Sequence, residues 1–344
     1  MKGGRRCSSS AAYITPIKSR KNLKIITNAQ TKKVNIVDGR ATSIDIVIKD
    51  KLDTISARRE IIICAGAIGS PQILMLSGIG PGEDLKNLGI EVVSDLVGVG
   101  KNLQDHLQAR PVFKTDLSTI NTETSNYVKK ALIGLQYILT QRGPMTMAAS
   151  LGTGFLKTED HLETPDIQFH IQPFSADMPS KGAHTFSAFT ASVLQLRPES
   201  TGYLKLKSPN YLDHPDIHPN YLSTVTDCKT IVKGVQIARK IAQYEPLRGH
   251  VSEEYAPGLE VPLDDEEGTL DWVRRTAVTI YHPTGTCKMG SDEMSVVSPT
   301  LKVRGVEGLR VADASIMPKI TSGNTNAPAI MIGEKASDLI LKEA

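Results

Sequence analysis

Two short segments near the end of the chain carry side chains that could handle a proton on an oxygen atom. His282 lies in residues 281–290, YHPTGTCKMG, and Asn324 lies in residues 323–328, GNTNAP. A histidine suits proton acceptance because its ordinary pKa lies close to neutral pH, and an asparagine amide donates a hydrogen bond without adding a charge. Taken singly, His282 could instead be a loop histidine and Asn324 a turn or cap residue.

A third segment predicts the kind of element that could position such side chains. Residues 61–65, IIICA, form a short continuous apolar run, which predicts a strand of a parallel sheet covered on both faces. Residues 66–69 predict a tight turn, with Ser70 as a helix N-cap, Pro71 at the first helical position and Ser77-Gly78 as the helix end. This order is typical of a nucleotide-binding α/β layer, and any βα unit with small residues at its turn is the alternative.

The rest of the chain predicts an α/β fold interrupted by a second domain. Residues 31–37 and 41–48 alternate like strands around Asp38-Gly39, which predicts a hairpin. After about residue 108, strand-like stretches alternate with long polar loops, which predicts a mainly antiparallel sheet with flanking helices. The predicted strands of that part are 166–171, 189–196 and 202–206, and its predicted helices are 126–141 and 227–244.

The last stretch, with a predicted strand at 309–313 and a helix at 328–341, returns to the α/β pattern. The predicted fold class is therefore α/β with an α+β insertion. The first domain is expected to be discontinuous, made of residues 1–108 and 292–344, and the inserted domain is expected to span 109–291. An acidic run at 264–267 predicts a solvated helix start.

Composition excludes several classes of function. The chain has 344 residues, of which 40% are apolar and 5% aromatic, with a net charge of +3. This length allows two domains and a large core. Nucleic-acid binding is not expected, because no basic stretch is interleaved with aromatic residues. No apolar run approaches the roughly 18–20 residues of a membrane helix, and no apolar segment of a secretory signal is present.

The cysteines and histidines predict no metal site. The chain's 4 cysteines show no C-x-x-C spacing, so neither a zinc site nor a disulfide framework is expected. His214 and His218 have the spacing of a zinc-binding helix, but Pro215 and Pro219 exclude a helix there, and an extended loop is expected. Cys64 lies in the apolar run and is predicted to be a small core residue.

Taken together, the segments 66–81, 281–290 and 323–328 resemble, in family order, the glucose-methanol-choline (GMC) family of flavin oxidoreductases. Two further segments, residues 97–106, VGVGKNLQDH, and residues 311–318, VADASIMP, are also similar to that family. The motifs are closest to the insect glucose-dehydrogenase-like and choline-dehydrogenase-like branches.

The resemblance implies an FAD-dependent oxidoreductase that acts on CH–OH groups, with a partial, Rossmann-like FAD-binding domain and a substrate domain. It implies that His282 is the base and that Asn324 stabilises the alkoxide, while FAD accepts the hydride. A small-molecule alcohol and an electron acceptor are the implied partners. The implied cofactor-binding residues are Val34, Gly66, Ala67, Asp313, Ala314, Asn324, Thr325 and Asn326.

The sequence departs from the family pattern in one respect. The family's Gly-x-Gly-x-x-Gly phosphate loop and first βαβ unit have no counterpart in the chain, which implies a fragment of a longer family member. Two alternatives to alcohol oxidation stay open: a non-catalytic remnant or binding protein that no longer holds flavin, and a flavin-containing lyase. Members of these branches are often secreted, which implies an extracellular full-length parent.

Overall fold

The computed structural model describes residues 2–147, 150–177 and 182–343. The chain packs into two compact units. Unit 1 contains Met1–Leu23, Leu107–Arg197 and Thr224–Ile280, and unit 2 contains Lys24–His106, Pro198–Ser223 and Tyr281–Ala344. The functional domains expected from the sequence, 1–108 with 292–344 and 109–291, stay a prediction.

The strands in the described ranges are short, and each of them pairs with at least one other strand. In chain order they are β1 (Gln30–Val37), β2 (Arg40–Ile48), β3 (Lys51–Ser56), β4 (Ile61–Ile63), β5 (Ile79–Gly80), β6 (Ser94–Asp95), β7 (Leu107–Ala109), β8 (Val112–Thr115), β9 (Gly152–Leu156), β10 (Ile167–Gln172), β11 (Ala188–Gln195), β12 (Tyr203–Lys205), β13 (Asp216–His218), β14 (Val251–Ala256), β15 (Val278–Thr279) and β16 (Leu309–Val311).

The helices in the same ranges differ widely in length. In chain order they are α1 (Gly66–Leu76), α2 (Gly82–Asn87), α3 (Ile120–Ser125), α4 (Tyr127–Thr140), α5 (Val225–Ile241), α6 (Glu266–Thr276) and α7 (Asn326–Glu343). No helix within the described ranges combines the length and the apolar character that crossing a bilayer requires.

Unit 1 is built on an antiparallel sheet, as predicted from the strand-like stretches 166–171 and 189–196. The predicted strand at 202–206 corresponds to β12, which lies in unit 2 and pairs with β13 instead. The strands lie in the order β14-β8-β11-β10-β9, and β7 pairs with both β11 and β15. Helix α5 packs closely on this sheet at Gly234, where a Cβ atom would lie 2.7 Å from Cγ2 of Val193. The predicted helix start in the acidic run is confirmed, since Asp265 caps α6 by accepting a hydrogen bond from the Gly268 amide.

Unit 2 contains the predicted hairpin. Strands β1 and β2 are antiparallel, with Val37 opposite Arg40. The loop residues Asp38 and Gly39 have φ values of 49° and 77°, and positive φ at both central positions is the conformation of a tight two-residue hairpin loop. A third strand, β3, extends this sheet; it was not predicted, because its residues are exposed on both faces and lack an apolar alternation. The segment around His218 is extended, as predicted, and forms β13.

The predicted strand and helix of unit 2 are present, but the helix starts earlier than predicted. Residues 66–69, which were predicted to form a tight turn, are already helical, and Pro71, predicted at the first helical position, lies inside α1. Strand β4 pairs in parallel with β16, and α1 begins at Gly66. The assignment of Ser70 as N-cap is wrong: Ser70 is buried inside α1, where its hydroxyl accepts a hydrogen bond from Ala65 N and donates one to Asp313. The Ser70 hydroxyl therefore bonds a carboxylate that is distant in the sequence, and it does not cap the helix. The end of α1 at Ser77 is confirmed.

The predicted burial of the β4 run is correct on one face only. Ile63 is buried, whereas Ile62 on the opposite face is 42% exposed. Cys64, predicted to be a core residue, is exposed. The prediction of a strand covered on both faces is therefore wrong for the chain described here. The core of unit 2 lies on the other side of this layer and includes Leu74, Met75, Ile79, Val99, Cys287, Val297, Leu309 and Val311.

Candidate active site

His282, in unit 2, directly follows a residue with a strained backbone conformation. Tyr281 has a φ of 63°, a left-handed conformation that is uncommon for a bulky residue. The next residue, His282, is only 8% exposed, and its backbone N–H donates a hydrogen bond of 2.8 Å to Oδ1 of Asp105. The backbone orientation of the histidine is therefore fixed from the neighbouring loop.

The two residues singled out in the sequence lie side by side. Nε2 of His282 is 3.3 Å from Nδ2 of Asn324. Asn324 is exposed, so this nitrogen of the buried ring meets a side chain that solvent can reach. A single oxygen atom placed at this edge could contact both nitrogens.

The other ring nitrogen of His282 meets a second histidine, which sequence reasoning missed. Nδ1 of His282 lies 3.0 Å from Nδ1 of His106. The two rings are nearly perpendicular, with an interplanar angle of 81°. His106 is completely buried, with 0% exposure. The signal available in the sequence was the end of the glycine-rich loop 97–106, where His106 is the last residue.

Asp105 connects the histidine to a tyrosine. Its Oδ1 accepts the His282 amide, and its Oδ2 accepts a hydrogen bond of 2.5 Å from the Tyr221 hydroxyl. Asp105 is itself buried, so both carboxylate oxygens have donors, as a buried charge requires. Asp105 and Tyr221 are also residues that the sequence did not identify.

The environment favours a neutral His282. Burial lowers the pKa of His282 below its ordinary value of 6.5, and the Asp105 carboxylate opposes this effect by raising it. Because burial is the larger influence, the ring is more readily neutral near pH 7 than an exposed histidine. A neutral ring has one nitrogen with a lone pair, and this is the form that can accept a proton.

Backbone hydrogen bonds join the loop that contains His106 to the loop that contains His282. The amide of Gln104 donates to the carbonyl of Thr284 at 3.1 Å, and the amide of Thr284 donates back to the carbonyl of Gln104 at 2.9 Å. Gly285 has a φ of +90°, and a Cβ atom there would lie 2.4 Å from the carbonyl oxygen of Asn102. The glycine of the 281–290 motif is therefore required by both its backbone conformation and the close approach of the other loop.

Four of the predicted cofactor-binding residues surround the start of α1. Oδ2 of Asp313 accepts hydrogen bonds from the Gly66 amide at 2.9 Å and from the Ser70 hydroxyl at 2.5 Å. Ala67 is buried, and its carbonyl accepts a hydrogen bond from the Thr286 hydroxyl. Ala314 starts a short 3₁₀ helix, Ala314–Ile316. The first turn of α1 is thus tied to the segment that follows β16.

The remaining predicted residues lie at two places. Thr325 and Asn326 lie next to Asn324, where α7 begins, and the carbonyl of Thr325 accepts the Ala329 amide at 3.0 Å as one of the first bonds of the helix. Val34 is buried in the unit 2 core, and its amide donates to the Ser77 hydroxyl at 2.8 Å. The structure therefore groups Asn324 with Thr325 and Asn326, while the Val34 amide already has a protein acceptor.

Comparison with known proteins decides the family. Two models described as GMC oxidoreductase match the chain, one over residues 1–108 and the other over residues 198–333. The chain belongs to the GMC oxidoreductase family. The resemblance predicted from the motifs is confirmed, and with it the fold class.

Individual relatives in the GMC family extend this finding. An alcohol dehydrogenase [acceptor] from Pseudomonas putida is 39% identical over 99% of this chain and 62% of its own length. An oxygen-dependent choline dehydrogenase from Staphylococcus xylosus is 39% identical over 98% of this chain and 60% of its own length. The similarity to choline dehydrogenases agrees with the branch that the motifs indicated, while the insect glucose-dehydrogenase-like branch stays a prediction.

A solved structure has the same fold. A formate oxidase from Aspergillus oryzae RIB40, studied for its FAD modification, superimposes with a TM-score of 0.89 at 25% identity, over 95% of this chain and 62% of the other. The chain spans about three fifths of the length of these relatives, 62% of the alcohol dehydrogenase and 60% of the choline dehydrogenase.

Proposed function

We propose that this chain carries the chemical centre of an FAD-dependent oxidoreductase that removes a hydride from the CH–OH group of a small-molecule alcohol. The observation that carries the proposal is the 3.3 Å separation of His282 Nε2 and Asn324 Nδ2. These are the two residues that the family motifs place at the substrate oxygen. The names of the relatives, alcohol dehydrogenase [acceptor] and choline dehydrogenase, support an alcohol as the donor.

His282 acts as the base in this proposal. Alcohol oxidation releases a proton from the hydroxyl group and a hydride from the adjacent carbon. Because burial lowers the pKa of His282 and so favours the neutral ring, His282 can accept the hydroxyl proton at Nε2. The bound FAD supplies the hydride acceptor, which no side chain can provide. A separate electron acceptor would be the second partner of the reaction.

Asn324 holds the oxygen from which the proton departs. Its amide N–H can donate a hydrogen bond to the developing alkoxide, and such a donor stabilises the charge more in the transition state than in the ground state. The exposure of Asn324 gives a substrate access to the amide, while the buried His282 ring keeps a fixed orientation. The pair therefore both activates and aligns the hydroxyl group.

The residues present fit a flavin at the start of α7. This helix spans Asn326–Glu343, and a helix N-terminus in general has backbone N–H groups without intrahelical acceptors and a positive partial charge. Such an end favours a group that gains negative charge on reduction. Asn324, Thr325 and Asn326 would hold the ring there. Gly66 and Ala67 at the start of α1, with Asp313 and Ala314, would hold the rest of the cofactor, whereas the Val34 amide already donates to Ser77.

The first test is whether the chain binds flavin. The chain is purified with FAD present, desalted, and examined by visible absorption spectroscopy. We expect flavin absorption in stoichiometric amount; a colourless, folded protein would favour the alternative of a remnant that no longer holds flavin.

The second test is turnover. Alcohols including choline are added to the flavin-loaded protein with an artificial electron acceptor, and His282→Gln is compared with His161→Gln, a variant of an exposed histidine of unit 1. We expect only the His282 variant to lose activity. Equal activity in both variants would refute the assignment of His282, and a flavin that stays oxidised with every alcohol would favour the lyase alternative.

A further inference from the structure

The contact between His106 and His282 limits where the ring protons can be. A neutral histidine carries one ring N–H, on either Nδ1 or Nε2. The Nδ1 atoms of the two rings are 3.0 Å apart, which is hydrogen-bond distance. One of the two Nδ1 atoms must therefore carry a hydrogen and the other must accept it.

Asn324 selects between these two arrangements. If His106 donates, the remaining proton of neutral His282 is on Nε2, and this N–H points at the Asn324 amide nitrogen 3.3 Å away, a donor facing a donor. If His282 donates from Nδ1, its Nε2 has a lone pair that accepts from the Asn324 amide. Only the second arrangement satisfies both contacts.

Burial of His106 is compatible with the second arrangement. The His106 ring has 0% exposure, and a charge on it would lose its hydration. A neutral His106 ring that accepts at Nδ1 carries its own hydrogen on Nε2. The acidic group near the pair, Asp105, accepts hydrogen bonds from the His282 amide and from the Tyr221 hydroxyl. The group within hydrogen-bond distance of Nδ1 of His282 is Nδ1 of His106.

We propose that His106 is a positioning residue that holds His282 in the Nδ1–H tautomer, so that Nε2 presents a lone pair toward Asn324. The inference rests on the proposed function, in which Nε2 accepts the proton of a substrate hydroxyl. When that proton arrives, His282 becomes an imidazolium whose Nδ1–H still donates to His106, now as a charge-assisted and therefore stronger hydrogen bond. No electrons move in this step, and the proton released by the hydroxyl stays on Nε2.

The tautomer can be measured without turnover. The full chain is labelled with ¹⁵N-histidine, and long-range ¹H–¹⁵N NMR spectra at neutral pH distinguish a protonated from an unprotonated ring nitrogen. His282→Gln identifies the His282 signals among the 8 histidines. We expect a protonated Nδ1 and an unprotonated Nε2 for His282. A protonated Nε2 as the dominant form in the unsubstituted protein would overturn the proposal.

Two variants of His106 separate positioning from packing. His106→Asn keeps a hydrogen-bonding group near the Nδ1 position, whereas His106→Leu fills the space without one. We expect the asparagine variant to keep the Nδ1–H tautomer and the leucine variant to lose it, with both variants giving similar thermal melting curves. An unchanged His282 tautomer in a folded leucine variant would refute the role of His106. If that variant does not fold, a change of tautomer in the folded asparagine variant would refute it instead.

A kinetic comparison keeps this inference distinct from the proposed function. In flavin-loaded protein that oxidises an alcohol, we expect His106→Leu to lower kcat by about 10- to 100-fold with little change in KM, because a base in the wrong tautomer binds substrate but cannot take its proton. We expect His106→Asn to recover most of that loss. If the tautomers are as expected but no alcohol is oxidised, the proposed function fails while the role of His106 stands.

Discussion

Each unit of the chain contains a histidine whose two ring nitrogens are both engaged by polar side chains. In unit 2, His282 lies between His106 and Asn324. In unit 1, His184 lies between Ser175 and Asp177, with Nδ1 3.0 Å from the serine hydroxyl and Nε2 2.9 Å from the carboxylate. By residue type alone, the serine–histidine–aspartate group looks like the better catalytic site, because those types form the catalytic triad of many hydrolases.

The burial of Ser175 and the further contacts of this group argue against a catalytic role for it. Ser175 has 0% exposure. The Asn121 side chain bonds the backbone of Ser175 twice: it accepts a hydrogen bond from the Ser175 amide at 3.0 Å and donates one to the Ser175 carbonyl at 2.9 Å. The His184 ring also stacks on Phe186 at a centroid distance of 4.7 Å. No substrate can reach such a hydroxyl without local unfolding. The group therefore ties one part of unit 1 together, whereas the His282 group has an exposed member.

A cluster of reactive residue types becomes a site only where one member is accessible and one nitrogen is left to accept a proton. Asn324 supplies the access. Because His106 engages the far side of the His282 ring, the near side can act as a base.

The largest expected effect comes from replacing His282, and it is compared with the effect of replacing His184. We expect His282→Gln to lower kcat/KM for the best alcohol by up to about 10⁴-fold, because general-base catalysis is lost. His184→Gln should change kcat/KM by no more than about twofold in protein that remains folded. Steady-state assays with an artificial electron acceptor measure both. A comparable loss in the two variants would show that the distinction between the clusters is wrong.

Asn324 is expected to have the next largest effect. We expect Asn324→Ala to lower kcat by about 10²-fold, the usual consequence of removing one hydrogen-bond donor to a developing oxyanion. Asn324→His should retain much of the activity, since histidine can also donate a hydrogen bond at this place. The same steady-state assay, corrected for flavin content, compares the two variants. Full activity in Asn324→Ala would mean that the amide does not contact the substrate.

The Ser175 group should affect stability instead of turnover. We expect Ser175→Ala to lower the free energy of unfolding by about 1–3 kcal/mol, because the substitution leaves buried polar partners without a hydrogen bond. Chemical denaturation followed by circular dichroism measures this change, and turnover per bound flavin serves as the control. A loss of turnover in a variant of unchanged stability would assign the serine a chemical role.

The smallest expected effect is the pH dependence of stability that His282 contributes. Burial lowers the pKa of His282 from 6.5, so the folded chain binds this proton more weakly than the unfolded chain does. The contribution is then fully present above pH 6.5 and is lost as the pH falls through the lowered pKa of the folded state. We expect the unsubstituted chain to lose more stability than His282→Gln between about pH 7.5 and about pH 5. Equal losses in denaturation experiments would indicate an unshifted pKa.

The sequence was most informative where chemistry and backbone requirements coincide. His282 and Asn324 were identified from their motifs, and the structure brings them together. The Asp38-Gly39 loop and the α1 end at Ser77 followed from local rules of turns and caps. These features depend on nearby residues, and their physical causes are visible in the sequence itself.

The features that were missed depend on contacts between distant segments. Ser70 resembles a helix cap in the sequence, but its partner Asp313 is 243 positions away. His106 and His282 are separated by 176 positions, and only the pairing of their two loops makes them neighbours. The Ser175–His184 group had no motif at all. Such contacts follow from tertiary packing, which local patterns do not encode.

The most direct test of the central claim is anaerobic reduction of the flavin by an alcohol. Flavin-loaded samples of the unsubstituted protein, His282→Gln and His184→Gln are mixed with the same alcohol in a stopped-flow spectrophotometer, and the loss of the oxidised flavin band is followed. We expect rapid bleaching in the unsubstituted protein and in His184→Gln, and strongly slowed bleaching in His282→Gln with an unaltered starting spectrum. Equal bleaching rates in His282→Gln and the unsubstituted protein would contradict the assignment of the chemical centre to His282.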